Sequence, residues 1–503
     1  MDLSMEDRLK RRKLDALKRG VHRASVGEST SVATHIVGIG RAGAGIVAEA
    51  LRTLQPGAPH LTALVVDIGD HDLGELRAIV AAADPQAASV TILALEIPDR
   101  LDLLSTLKDY PDYLILEYPR FRTSAQYQPW LPADFPIPAP GGSFKRAVAK
   151  AIYGRAFYAA EKPAAAALRI FADDVDAVPG HAMVAVVFGL GGGTGSGIAV
   201  DLARHLSNRG FGRRVLMAGV GIAPCDGDSE AHRGAALYPT LNEFDTMGDE
   251  EKNRGVVMSC GEMFRNPFTA GFVVVPQQQA WLATRDLAAT QARGNREIAS
   301  VLTAQGGVQF WELLKLLNWV AAPSTQHSAA RTPWGALWLH MLGFADVEDI
   351  SPGLKGRIGV VAGYSPEFVE MRVFGSEGAA TAPALEAELG PDVPPVVVEG
   401  APEGSVQFIM PSLAKTHLAA FAGWRAAYEA GSAEDKLLDH SLLLEQGVLL
   451  SAPSTRIVGM AGASLWGGDA WVAVPLDELM GDMPPPAPAL SLPKLQQVRE
   501  GVA

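Results

Sequence analysis

Between Thr34 and about Pro276, short apolar runs alternate with longer stretches in which apolar residues recur every three or four positions. The short runs are His35–Ile39, Ala63–Asp67, Val90–Leu95, Tyr113–Glu117, Ala182–Phe188, Val215–Ile222 and Phe272–Val275. Each is β-prone and brief, which predicts a strand, and the stretches between them predict helices. Strands that alternate with helices build a parallel sheet covered on both faces, because a parallel connection needs a crossover. The expected fold class is therefore α/β, a Rossmann-like parallel-sheet domain followed by a long helix and a smaller α+β unit. In such sheets ligands collect beyond the carboxyl ends of the strands.

The long helical pattern runs from about Asp286 to Trp319, with Ile298, Leu302, Phe310, Leu313, Leu314 and Leu317 among its apolar positions and Gly306-Gly307 as a candidate interruption. After Pro323 and Pro333 a further helical stretch is expected to reach Met341. Beyond it the pattern predicts strands at Arg357–Tyr364, Val396–Val398, Val406–Met410, Arg456–Met460 and Ala470–Val474, with a helix near Lys415–Ala430. The chain thus divides into an N-terminal extension (1–33), a parallel-sheet domain (34–283), a central helix (284–322), an α+β domain (323–478) and a tail (479–503). Between Glu117 and Gly142, prolines and aromatics such as Pro129, Trp130 and Pro132 suggest an irregular surface insertion.

Composition narrows the function classes. With 503 residues, 48% hydrophobic and 20% charged, the chain reads as a soluble globular protein. A net charge of −13 argues against general nucleic-acid binding. Cys225 and Cys260 are its only cysteines, too few for a disulfide framework or a zinc cluster, and a reducing cytoplasm fits. No apolar run has the length of a membrane span, and no signal peptide is visible. Locally, Arg8 to Arg23 holds eight basic residues against Asp15 alone, either a solvated helix or a contact for an anionic partner. Met483–Leu495 carries five prolines and reads as an extended tail or partner-binding strip.

Two glycine-rich turns carry the candidate chemistry. Gly189-Leu190-Gly191-Gly192-Gly193-Thr194-Gly195-Ser196-Gly197 lies between an apolar strand and a helical stretch, with six glycines in nine residues. Glycines let backbone N–H groups approach an anion, and a helix N-terminus adds partial positive charge. Thr194 and Ser196 can donate to phosphate oxygens or help hold a metal's water shell. The run has no lysine, so it is not the G-x-x-x-x-G-K-[ST] loop of P-loop nucleoside triphosphatases. The other turn, Gly38-Ile39-Gly40-Arg41-Ala42-Gly43-Ala44-Gly45, contains G-x-G-x-x-G between strand and helix. Alone it would suggest an NAD-dependent oxidoreductase, with Asp67 as the ribose-binding acid. That reading gives no role to the second turn.

The run G-G-G-T-G-S-G resembles the signature loop of the tubulin/FtsZ family of GTPases. The resemblance implies a GTP/GDP site with Mg2+ in which Gly191, Gly192, Gly193, Thr194, Gly195, Ser196 and Gly197 cradle phosphates beside Gly38, Gly40, Arg41, Ala42 and Gly43. It further implies acids near the metal at Asp67 and Asp70, although Asp70 equally suits a helix cap. A loop at Pro140–Arg146, with Gly142 and the basic Lys145 and Arg146, would lie near the terminal phosphate. Asp228 or Glu230, beside Arg233, would meet the ribose, and Asn295 the guanine edge. The three acids Asp226, Asp228 and Glu230 also suit a helix start without any ligand.

The family hydrolyses GTP when a loop of one subunit enters the nucleotide site of the next. Phe344-Ala345-Asp346-Val347 resembles the second half of that loop, which makes Asp346 the first candidate for orienting water, with Glu348 and Asp349 as alternates. The usual Asn-x-Asp part is absent, since the aligned positions read Met341 and Gly343. The resemblance therefore implies a cytoplasmic protein that assembles with itself head to tail into filaments and hydrolyses GTP slowly. A non-polymerising nucleotide-binding regulator of the same fold is the alternative.

Overall fold

The computed structural model describes residues 32–117, 129–303 and 426–446 apart from short internal gaps, Gly307 and Phe310, and strands between 339 and 475. Thirteen strands appear among these residues: β1 Val32–Ile39, β2 Leu61–Ile68, β3 Ala88–Leu95, β4 His181–Gly189, β5 Leu216–Ala223, β6 Gly271–Pro276, β7 Leu339–Met341, β8 Ile358–Ser365, β9 Phe368–Gly375, β10 Pro395–Val396, β11 Ser405–Ile409, β12 Arg456–Val458 and β13 Val474–Pro475. The larger sheet has the order β13-β12-β7-β6-β5-β4-β1-β2-β3, all parallel except the β12–β13 pair. The smaller sheet, β10-β11-β9-β8, is antiparallel.

The strands form where they do because their residues are apolar on both faces. All eight residues of β2 are buried, as are the central ones of β1, β4 and β5, so these strands can exist only inside a sheet with covered faces. The helices that matter for the site are α1 Gly40–Thr53, α2 Arg146–Tyr158, α3 Gly193–His205, α4 Leu237–Gly248 and α5 Leu287–Thr303. Helix α1 joins β1 to β2 and α3 joins β4 to β5, each a crossover that starts at the carboxyl end of its strand. No helix among the described residues is long and apolar enough to cross a membrane.

Four expectations change. Tyr113–Glu117 is part of a helix, Tyr110–Glu117, rather than a strand. Its four-residue apolar run suits either structure, and Pro111 sits in the first turn, where the missing N–H costs nothing. The residues up to Met341 do not end a helix: Leu339–Met341 is a strand that satisfies the backbone edge of β6 and accepts β12 on its other side. Strands β7, β12 and β13 thereby extend the first sheet instead of belonging to a separate unit. The stretch expected as a surface insertion is partly core. Trp130 is 1% exposed and donates from Nε1 to the Ala147 carbonyl (3.3 Å), with its ring edge-on to Tyr110, and Phe135 is fully buried. Large aromatics bury enough area to hold an irregular segment in place.

The central helical pattern is described as α5 up to Thr303, and Gly307 beyond it has φ +90°. The expected helix at Lys415–Ala430 lies outside the described residues except for 426–430, which are helical.

Helix α1 meets its sheet through glycine. A Cβ on Gly43 would lie 2.5 Å from the Gly38 carbonyl carbon and 2.7 Å from the Val187 oxygen, backbone on both sides. Alanine favours a helix over glycine by about 1 kcal/mol. Here the clash outweighs that gain, and Gly43→Ala is expected to destabilise the protein by about 1–3 kcal/mol, as overpacked cores do. A lowered urea midpoint with an unchanged slope checks this.

Candidate nucleotide site

Strands β1, β4 and β5 end in one register row: Ile39 pairs with Phe188, and Phe188 with Gly221. Just past that row lies a cavity of about 390 Å³, a size in the range of roughly 300–1,000 Å³ usual for small-molecule sites. Its floor is made by the two glycine turns, with Gly40, Arg41 and Ala42 from the first and Gly191, Gly192, Gly193, Thr194 and Gly195 from the second. The sides come from Asp67 near the end of β2 and His71 and Asp72 after it, from Gly141, Gly142, Ser143 and Phe144 before α2, and from Asp228, Ser229 and His232 after β5. Gln277, Leu287, Gln291 and Asn295 complete the wall.

Both floor helices begin at the cavity without a side-chain cap, and neither has an acid in its first turn. Side-chain caps occur at two other helices, where Asp99 accepts from the Asp102 N–H and Ser432 from the Asp435 N–H. The helices starting at Gly74, Arg146, Pro163 and Gln278 have none, so it is the convergence of two such starts that marks the cavity. The first N–H groups of an α-helix have no partner within it. Two uncapped starts converging on one cavity therefore offer a cluster of backbone donors and two positive dipole ends, the arrangement that binds phosphate or carboxylate.

Side chains are excluded from the floor by contact. A Cβ on Gly193 would lie 1.6 Å from the Phe144 oxygen, and one on Gly191 would lie 1.9 Å from the His232 oxygen. Gly192 differs, since its added Cβ would meet nothing within 4 Å. Of the two hydroxyls, Thr194 lines the cavity, whereas Ser196 is fully buried, donates to the Gly192 carbonyl (2.7 Å) and accepts from Arg146 Nε (3.1 Å). Gly38, Gly43 and Gly197 also lie behind the surface.

Asp67 is 7% exposed, and its carboxylate accepts the Ile68 N–H at 2.8 Å. Burial above all raises its pKa to about 6; Asp72 nearby adds to the rise, while the Ile68 hydrogen bond and Arg41 oppose it. Asp70 points elsewhere and holds Arg77 (2.6 Å), while Asp72, which sequence reasoning missed, lies on the wall and pairs with Arg41 at 3.1 Å and His71 at 2.9 Å. No cluster of three or more His, Cys, Asp or Glu side chains that could hold a metal occurs among the described residues.

Asp228 lines the cavity, with Oδ2 accepting the Cys225 N–H at 2.8 Å. Glu230 and Arg233 do not line it, and Arg233 instead stands 3.9 Å from Asp226. Lys145 and Arg146 also lie off the lining; Lys145 binds Asp439, and Arg146 is fully buried against Glu243. His232, unmarked by any motif, bridges two walls, with Nδ1 3.1 Å from Ser229 Oγ and Nε2 3.3 Å from Ser143 Oγ. Leu287, Gln291 and Asn295, spaced by four, line the cavity from one face of α5. Asn295 reaches close to α1 because residue 45 is glycine: a Cβ there would lie 2.5 Å from its Nδ2. Asp346, Glu348 and Asp349 lie outside the described residues.

No protein-family model matches the chain, and no curated protein matches it in sequence. Among solved structures the chain is similar to CetZ from Methanosaeta thermophila, at 12% identity over 66% of this chain and 64% of that one, with a TM-score of 0.31. It is similar to a GTPγS-form protofilament of TubZ from Bacillus thuringiensis serovar israelensis, at 15% identity over 58% and 60%, with a TM-score of 0.30. It is also similar to FtsZ from M. jannaschii, at 12% identity over 80% and 93%, with a TM-score of 0.31. The chain spans less than two thirds of the length of the CetZ and TubZ chains.

The raised pKa of Asp67 sets a sign. A group that binds its proton more tightly when folded favours folding fully below its unfolded pKa, and that contribution is lost as pH rises through the folded value near 6. Asp67→Asn is therefore expected to stabilise the ligand-free protein at pH 7.5 by about 1–3 kcal/mol, with the gain vanishing below about pH 4. Melting temperatures across that range check it; a gain that persists at low pH overturns the assignment.

Proposed function

We propose that this chain is a guanine-nucleotide-binding protein of the tubulin/FtsZ type, which stacks head to tail into filaments and hydrolyses GTP slowly. The observation that carries the reading is the convergence of both glycine turns, each opening an uncapped helix, on one cavity. The backbone donors of Gly40–Ala42 and Gly191–Gly195 hold the phosphates, with the Thr194 hydroxyl beside them. Magnesium takes most of its ligands from phosphate oxygens and water and needs only one or two carboxylates. Asp67 and Asp72 fit that demand, and the ion would supply charge neutralisation at the phosphates. Asp228 meets the ribose, and the Asn295 amide, with donor and acceptors, reads the guanine edge. Asp346, Glu348 and Asp349 are the proposed water-orienting acids. An oxidoreductase built on the first turn alone leaves the second without a task.

One observation favours the non-polymerising alternative. Met341, aligned with the family's missing asparagine, pairs with Val274, which pairs with Gly221 in the same row as Ile39. This backbone position lies at the cavity edge of the sheet, whereas head-to-tail stacking requires the catalytic loop to face the next subunit from the opposite edge.

Thermal unfolding separates the ligand classes, because only a ligand of the native state stabilises it. GTP or GDP with Mg2+ is expected to raise the melting temperature, by an amount equivalent to about 2.7 kcal/mol at a hundredfold excess over Kd, and NAD to leave it unchanged. The reverse result assigns the cavity to a dinucleotide. In a pelleting assay with GTP, sediment and phosphate release per subunit that both rise with protein concentration support filaments. Binding without sediment, with turnover independent of concentration, supports the regulator.

A further inference from the structure

Behind the signature loop the protein holds a buried polar network that takes no part in the cavity. Arg146 is fully buried at the start of α2. Its Nε donates to Ser196 Oγ (3.1 Å) and its Nη2 to the Ser196 carbonyl (2.9 Å) and to Glu243 of α4. Its Nη1 donates to the Asp439 carbonyl (2.9 Å), nearly three hundred residues later in the chain. Glu243 accepts the Ser441 N–H at 2.8 Å, and Ser441 Oγ donates to the Gly197 carbonyl at 2.7 Å. Burial opposes a charge on Glu243, yet Arg146 and His440 hold its carboxyl below the usual range, so the network is ionic.

The residues Ala433–Gln446 are fixed on this surface by charge as well. Lys145 pairs with Asp439 (2.9 Å), and Lys150 with both Asp201 of α3 and Glu445 (2.9 Å). None of Asp439, Ser441 or Glu445 lines the cavity, and all three are buried. The last two residues of the signature loop, Ser196 and Gly197, therefore have their carbonyls tied from the rear, one through Arg146 and one directly to Ser441. Ser196 in turn holds the Gly192 carbonyl, so the grip reaches the turn that faces the ligand.

We propose that the segment 433–446 is a positioning element of the nucleotide site, which fixes the signature loop through Ser441 and through Arg146. The proposal rests on the nucleotide reading of the cavity for its effect on affinity, but its effect on the loop is independent of any ligand. A preorganised loop binds without the cost of ordering itself, so releasing it weakens binding from a distance.

The test compares two full-length variants: Ser441→Ala, which removes the hydroxyl on Gly197, and Leu444→Ala, which removes an equally buried apolar group from the same segment. The readouts are amide hydrogen exchange at Gly193–Gly197 in ligand-free protein, and Kd for GDP with Mg2+ by dialysis. Loss of one buried hydrogen bond predicts loop exchange and Kd raised about threefold to tenfold in Ser441→Ala, with both held within about twofold in Leu444→Ala despite a lower melting temperature. Equal effects of the two variants, or an unchanged loop in Ser441→Ala, overturn the proposal. If Ser441→Ala does not fold, Arg146→Lys, which keeps the charge on Glu243 but lacks the fork that reaches Ser196 and Asp439 together, is read by the same criteria. A wild-type chain that binds no guanine nucleotide, while Ser441→Ala still frees the loop, removes the nucleotide reading and leaves the positioning role standing.

Discussion

Backbone touching backbone is the constraint on which this structure depends. Around the cavity Gly43 meets Gly38 and Val187, Gly193 meets Phe144, and Gly191 meets His232, all at separations that leave room only for hydrogen. Close approach brings the starts of α1 and α3 to the same point and leaves their first N–H groups facing open space. Glycine costs helix stability at both starts. The fold offsets this through the buried parallel strands β1, β2, β4 and β5 from which the two turns emerge.

The electrostatics follow from the same constraint. Among the described residues no lysine lines the cavity, so attraction for an anion there comes from oriented peptide dipoles, with Arg41 at the rim already shared with Asp72. The lysines and arginines behind the loop are held by buried partners: Lys145 by Asp439, Arg146 by Glu243, Lys150 by Asp201 and Glu445. Breaking one such pair strands a charge in the interior, which is far costlier than losing a surface ion pair. Of the acids on the cavity wall, Asp67 and Asp72 stand on the β2 side and Asp228 on the β5 side, with β1 and β4 between them.

Most of the parallel sheet was legible because its strands are apolar on both faces and stand out as short runs between glycine turns and helical patterns. Tyr113–Glu117 misled because a four-residue apolar run has no period to read, and only the helix partners of Tyr110 and Leu114 decide it. The glycine turns were legible for a local reason, their position between strand and helix. The individual roles inside them were not. Thr194 and Ser196 are indistinguishable in the sequence, and what separates them is Arg146, fifty residues earlier, which claims the serine. Asp70 looked like a site acid until Arg77 took it, while Asp72 and His71, two residues of no motif, stand on the wall. His232 carried no signal, since its contact with Ser229 is local and belongs to no motif, and Ser143, 89 residues earlier, meets it only once the strands have been ordered.

A floor made of main chain has an evolutionary corollary. Side-chain contacts can be exchanged one substitution at a time, but every residue except proline carries a peptide N–H, and a Cβ at Gly191 or Gly193 is refused on steric grounds. The side chains at the rim, among them Arg41, Asp72 and Asp228, are not fixed by that contact. What such a floor passes on is a shape of the backbone rather than a set of side chains.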